Sequence, residues 1–204
     1  MFDLDQTLID DQPRGGDCAS CLDPDGFYCE LGKGSDISIF IRPHAVELLQ
    51  FCFNNARGVG IWTRASKEWA DVVLSMPAFA PFRDRFEFIW SASHCRRRWI
   101  RSGDDYGHLG PPTPTIDKPL AKVWRKARFR DAGWLRCSTL IVDDKPRNFL
   151  CNYGNGIRVP AFYAGASDAA DDCTLLSLRD FIQTTFNSGG VADVRPPEKR
   201  DWWQ

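Results

Sequence analysis

Asp3 and Asp5 stand two residues apart in the opening stretch, MFDLDQTL, with Thr7 two further on. Along an extended strand, residues two apart point the same way. Where the strand ends the chain turns, and the second carboxylate can swing round beside the first. Paired carboxylates of this kind suit phosphoryl chemistry: one attacks phosphorus and helps hold a hard cation, and the other handles the proton. Further polar groups close other apolar stretches. Thr63 ends Val59-Gly60-Ile61-Trp62, Asp143 and Asp144 end the run STLIVDD, and Lys118 stands before Pro119 at the start of an apolar-periodic segment. Taken singly, these read as an acidic turn, a strand-end hydroxyl and a solvated lysine. Taken together they argue for convergence, because the site of an open α/β sheet lies beyond the carboxyl ends of its strands.

The elements that must position them can be read in order. Residues 1–4 form a short first strand. Arg42-Pro43-His44 opens a helix, with Pro43 suited to the first helical position. Val46, Leu48, Leu49, Phe51 and Cys52 give that helix a broad apolar stripe, and it ends near Gly58. A buried strand spans residues 59–63, and Ser66 caps a helix over residues 67–75. Strands follow at 86–90, 138–143 and 157–159, with a helix starting at Lys118-Pro119 and a last helix over 175–186. Strands alternating with helices predict an α/β fold: a doubly wound, mostly parallel, Rossmann-like sheet with a hairpin-type insertion after the first strand. The chain divides into one domain over residues 1–186, including the insertion (10–36) and a long irregular loop (91–117), and a tail over 187–204.

Composition narrows the function classes. With 204 residues, 43% hydrophobic and 26% charged, the chain suits a soluble globular domain. A net charge of −1 gives no global push toward nucleic acid or membrane. No apolar run is long enough to cross a bilayer, and no signal peptide precedes the first motif. Eight scattered cysteines indicate an intracellular reducing compartment, nuclear or cytoplasmic, or an organelle if a targeting segment is removed.

Charge is uneven locally. The insertion is acidic, through Asp10, Asp11, Asp17, Asp23, Asp25, Glu30 and Asp36. Within it residues 27–31 and 37–41 can pair as a hairpin through Gly32-Lys33-Gly34. Cys18, Cys21 and Cys29 have the spacing of three zinc ligands, but no fourth stands at the usual distance, and free thiols are the preferred reading. Residues 94–136 are strongly basic. Arg96, Arg97, Arg98 and Arg101 flank Trp99, a pattern that suits RNA or an acidic phosphopeptide and equally a solvated basic face.

With these motifs in place, the chain resembles the haloacid dehalogenase superfamily, in the branch of RNA polymerase II C-terminal-domain phosphatases and their small relatives. The resemblance is carried by Asp3-Leu4-Asp5-Gln6-Thr7-Leu8 and by Arg42-Pro43 with Glu47-Leu48-Leu49. It is carried also by Trp62-Thr63-Arg64-Ala65-Ser66 with Trp69-Ala70-Asp71, by Lys118-Pro119-Leu120, and by Ile141-Val142-Asp143-Asp144-Lys145-Pro146. It runs from residue 1 to about residue 165. Arg64 stands where relatives often have a small residue.

The resemblance implies a magnesium-dependent phosphatase acting on phosphoserine or phosphothreonine in protein. Asp3 is then the nucleophile, and Asp5 the general acid and base, its pKa raised by acidic neighbours. Thr63 and Lys118 hold the phosphoryl oxygens. Mg2+ is held by Asp3, the backbone carbonyl of Asp5 and Asp144, with Asp143 orienting Lys118 or a metal-bound water. A second reading keeps the fold without turnover, as a scaffold or binding subunit of a larger assembly that contacts an acidic partner or RNA at residues 96–101.

Overall fold

The structure is a computed structural model, and it describes residues 1–13, 27–30, 36–101, 110–188, 190–200 and 202. Nine strands are described: β1 (Ile9–Pro13), β2 (Phe27–Glu30), β3 (Asp36–Ile41), β4 (Gly60–Trp62), β5 (Phe88–Trp90), β6 (Arg96–Ile100), β7 (Thr113–Asp117), β8 (Ile141–Asp143) and β9 (Gly156–Arg158). Five α-helices join them: α1 (Ala45–Asn55), α2 (Lys67–Leu74), α3 (Ala121–Trp124), α4 (Ala127–Asp131) and α5 (Thr174–Ile182).

The centre is a parallel arrangement reached through a single residue. β4 pairs with β5 and β8 with β9, both parallel. Phe2 bridges Ile61 on one side and Val142 on the other. Its N–H donates to the Gly60 carbonyl at 2.9 Å, its carbonyl accepts from Trp62 at 2.9 Å, and Asp3 N–H donates to the Val142 carbonyl at 3.0 Å. The opening segment therefore lies between β4 and β8, and the expected first strand pairs only at Phe2. Strand residues alternate between two cores. Phe2, Ile61, Val142 and Ile157 join α1, α2 and α5 residues such as Leu48, Val73 and Leu178. Met1, Trp62, Phe88, Trp90 and Ile141 join Leu120, Val123 and Phe129. Burial on both faces explains why these short strands read as continuous apolar runs. Gly60 has no room for a side chain, since a Cβ there would meet the Phe88 ring at 2.7 Å.

The α/β class expected from the sequence stands, and the pairings around Phe2 are parallel, while other, separate sheets are not. The longer ladders are antiparallel. β2 pairs with β3 from Phe27 opposite Ile39, as the hairpin reading predicts, and β1 adds to the other edge of β3. Two stretches of the expected irregular loop, residues 96–100 and 113–117, are strands. β6 and β7 form a hairpin with Arg96 opposite Asp117 and Ile100 opposite Thr113. Arginines disguised the strand: Arg96 and Arg98 share one face and both reach the buried Asp117 carboxylate. The helix expected from Lys118 begins later and breaks between α3 and α4, where Lys126 is extended. Pro43 precedes the first turn of α1 instead of opening it, with His44 in the left-handed region at φ 63°. The Gly32-Lys33-Gly34 turn and the thiols of Cys18, Cys21 and Cys29 lie outside the described residues.

The segment after α5 folds back on the body. Val194 N–H donates to the Cys137 carbonyl at 2.8 Å. Trp202 stacks on Phe181 and donates from Nε1 to the Arg158 carbonyl at 2.9 Å. Cys52, Cys95, Cys137, Cys151 and Cys173 are free thiols. No helix among the described residues is long and apolar enough to cross a membrane.

Candidate active site

The site is built by three strand ends that meet at Phe2. Beyond Asp3 the chain turns tightly: the Leu4 carbonyl accepts from the N–H groups of Thr7, Leu8 and Ile9 at 3.1, 2.8 and 3.1 Å. The turn requires Gln6 at φ 56°, a conformation that only a local compensation holds for a non-glycine residue. Gln6 is held from both sides, by its N–H to the Ile9 carbonyl at 2.7 Å and by the Phe162 N–H to its own carbonyl at 2.8 Å. Thr7 is buried, and its hydroxyl accepts from the Asp144 N–H at 3.2 Å. The first motif is thereby tied to the end of β8.

Asp3 is buried. Its Oδ1 accepts from the Leu4 N–H at 2.9 Å, and its Oδ2 lies 2.8 Å from Lys118 Nζ. Lys118 has no exposure and is 2.7 Å from Asp143 Oδ2 on its other side. Asp143 is held by the Asn148 amide at 2.8 and 3.0 Å and by the Lys145 N–H at 2.9 Å. Asp144 pairs with Lys145 at 3.2 Å through Oδ2, while its Oδ1 is buried with no partner. Asp3, Asp143 and Asp144 each offer an oxygen within 4.8 Å of the others.

Burial pushes the Asp3 carboxyl well above the usual carboxylate range. The Asp143 charge adds to this, and Lys118 opposes it. Asp144 is also raised, by burial first. Burial would pull Lys118 down, but the Asp143 and Asp3 carboxylates beside it hold it above its ordinary value. Two buried acids whose pKa values burial raises, one with an oxygen left unpartnered, form an all-oxygen donor set short of positive charge. That set fits a hard divalent cation such as Mg2+.

Asp5 makes its side-chain hydrogen bonds outside this cluster. Its Oδ2 accepts from the Thr63 hydroxyl at 2.9 Å and its Oδ1 from Trp69 Nε1 at 2.7 Å. The Thr63 oxygen in turn accepts from the Ala65 N–H at 2.9 Å. Trp69 reaches Asp5 because Ser66 caps α2, accepting from the Trp69 N–H at 3.1 Å, and so fixes the first turn of that helix. The structure thus gathers Asp3, Lys118, Asp143 and Asp144 into one cluster and places Asp5 and Thr63 as a bonded pair on the α2 side.

Sequence reasoning gave no role to Trp69, Asn148 or Lys145. Trp69 carried two signals, its place in the Trp69-Ala70-Asp71 motif and its position three residues after a capping serine. Asn148 carried none, because a buried asparagine in a 3₁₀ turn is recognised only when its partners are known.

The NLI interacting factor-like phosphatase family model matches residues 1–195. The chain belongs to that family. A CTD phosphatase-like protein of Invertebrate iridescent virus 3 is 25% identical over 203 residues, covering 90% of this phosphatase-family chain and 94% of the viral protein. Two solved structures share the fold. Fcp1, an essential RNA polymerase II CTD phosphatase, matches with a TM-score of 0.52 at 16% identity, over 90% of this chain and 49% of that one. Fission yeast Fcp1 bound to beryllium fluoride, as a point variant, matches with a TM-score of 0.51 at 17% identity, over 97% of this chain and 58% of that one. The chain therefore spans about half the length of these two structures, and at such identities the likeness is one of fold.

Proposed function

We propose that the chain is a magnesium-dependent phosphatase that hydrolyses phosphomonoesters, phosphoserine or phosphothreonine in protein among them, through an aspartyl-phosphate on Asp3. The observation that carries the reading is Lys118 held between Asp3 and Asp143 beside the unpartnered oxygen of Asp144. The family supports phosphatase activity in general, and the phosphoprotein substrate is carried over from Fcp1, an RNA polymerase II CTD phosphatase of like fold.

Asp3, Asp144 and the Asp5 carbonyl would hold Mg2+, with Asp143 close by. When bound, that cation supplies the positive charge that keeps Asp3 ionised and offsets the phosphoryl group. In the first step an Asp3 oxygen forms a bond to phosphorus as the bond from phosphorus to the ester oxygen breaks. Asp5 gives its proton to the departing oxygen. In the second, water attacks phosphorus, Asp5 takes its proton, and the bond to Asp3 breaks to release phosphate. Lys118 stays protonated throughout and opposes charge at the phosphoryl oxygens. Thr63 changes partner, releasing Asp5 Oδ2 for proton transfer as its hydroxyl turns to a phosphoryl oxygen.

The test is hydrolysis of an aryl phosphate with and without Mg2+, followed by singly phosphorylated serine and threonine peptides. Turnover that requires Mg2+ and fails in Asp3→Asn supports the reading; equal rates in the two proteins would refute it.

One observation favours a second reading, a fold-retaining binding subunit. Arg97 and Trp99 share one face of β6, and Trp99 is 70% exposed. Among the described residues, Asp117 pairs with Arg96 and Arg98. This face suits an acidic partner or RNA, and binding that does not weaken steeply with salt would rule out phosphate contacts there.

A further inference from the structure

Arg64 leaves β4 directly after Thr63 and is half-buried. Its Nε is buried with no hydrogen-bond partner. Its Nη1 reaches Asn148 Oδ1 at 3.5 Å, the long limit of a hydrogen bond, so the guanidinium is steered without being saturated. Asn148 has no exposure, spans both oxygens of Asp143 with its amide, and accepts the Lys118 N–H on its carbonyl at 2.6 Å. Arg64 therefore reaches toward the cluster. Cys95 locates it further: that thiol lies 3.7 Å from the Thr63 carbonyl and feels the charges of Lys118, Asp3 and Arg64 together.

The other donors of the site are already engaged. Lys118 serves Asp3 and Asp143, Lys145 serves Asp144 and Gln6, and the Thr63 hydroxyl serves Asp5. Among the described residues no carboxylate pairs with Arg64. A guanidinium offers five N–H donors in a planar fork matched to phosphate oxygens. An enclosed Nε–H without an acceptor is a donor held ready for an anion.

We propose that Arg64 is a phosphate-binding residue of this site, its Nε–H and a second guanidinium N–H taking two non-bridging oxygens of the phosphoryl group that Asp3 attacks. This deepens the phosphatase reading and rests on it. Lys118 is shared between two carboxylates; Arg64 adds positive charge for the incoming dianion.

The test is calorimetric titration of inorganic phosphate into the Mg2+-loaded full chain, in parallel with aryl phosphate turnover, for wild type, Arg64→Met and Arg64→Lys. Arg64→Met is expected to weaken phosphate about tenfold to a hundredfold, the loss of a charge-assisted hydrogen-bond pair. Arg64→Lys should recover part of that loss through charge alone, with thermal midpoints unchanged in both. Should Arg64→Met fail to fold, Arg64→Gln keeps a donor toward Asn148 without the charge and serves the same comparison. Phosphate affinity equal to wild type in the uncharged variant overturns the proposal. So does equal loss in the Lys and uncharged variants together with lowered midpoints, which would make Arg64 a support for Asn148. Wild type that turns over while the uncharged variant is unaffected refutes Arg64 alone. Wild type with neither turnover nor phosphate binding refutes the phosphatase reading with it.

Discussion

Asp3 and Lys118 show how a buried charge pair can be poised yet incomplete. The folded-state pKa of Asp3 is raised from 3.8, by burial first and the Asp143 charge second, and Asp144 moves the same way. A carboxyl with a raised folded pKa binds its proton more tightly folded than unfolded, so stability falls as pH rises above about 3.8 toward that raised value. Without a divalent cation, the urea midpoint should therefore fall from pH 4 toward neutrality. Adding Mg2+ should raise it, by an increment that grows with pH as protons cease to compete. A midpoint indifferent to Mg2+ at neutral pH would contradict the cation site. Trp69 gives a second prediction at this scale. Trp69→Phe keeps most of the packing but removes the N–H that holds Asp5 Oδ1 at 2.7 Å. Steady-state kinetics should show kcat down by roughly tenfold with KM little changed, since the lost contact positions the proton donor and does not bind substrate.

At the scale of elements, the site depends on a buried arginine outside it. Arg42, where β3 runs into α1, is 1% exposed. Its Nε and Nη2 each lie 2.9 Å from Asp172 Oδ2, and Nη1 donates to the Thr7 carbonyl at 3.2 Å and the Pro160 carbonyl at 2.9 Å. It clamps the first motif against the chain beyond β9. Arg42→Met should cost about 3 kcal/mol in urea unfolding, as for other buried pairs cut on one side, and should lower turnover because Thr7 orients Asp144. Elements whose burial pattern matched their period were legible in the sequence: the apolar runs behind β4, β5, β8 and β9, the stripe of α1, and the Ser66 cap. The β6–β7 hairpin was not. Its strands carry Arg96 and Arg98, whose inward direction depends on Asp117 nineteen or more residues away, and no local pattern reports such a partner. The break between α3 and α4 was hidden for a similar reason, since Lys126 is an ordinary helix former that tertiary packing leaves extended.

Across the whole molecule, residues far apart in sequence meet because one residue of the opening segment joins two parallel strand pairs. That geometry placed Asp3, Lys118, Asp143 and Asp144 together, as strand-end positions implied. The sequence could not say that Asp5 would face Thr63 and Trp69, because the turn at Gln6 sets its direction. Nor could it reveal the unpartnered groups, Asp144 Oδ1 and Arg64 Nε, which exist only relative to a packed surrounding. The proposed reaction depends on Asp3 as nucleophile. The most direct measurement is a rapid acid quench during turnover of a radiolabelled phosphoester with Mg2+, followed by peptide mapping. The account predicts label bound to the peptide that contains Asp3, released by hydroxylamine and absent in Asp3→Asn. Label on another residue, or turnover undiminished in Asp3→Asn, would contradict it.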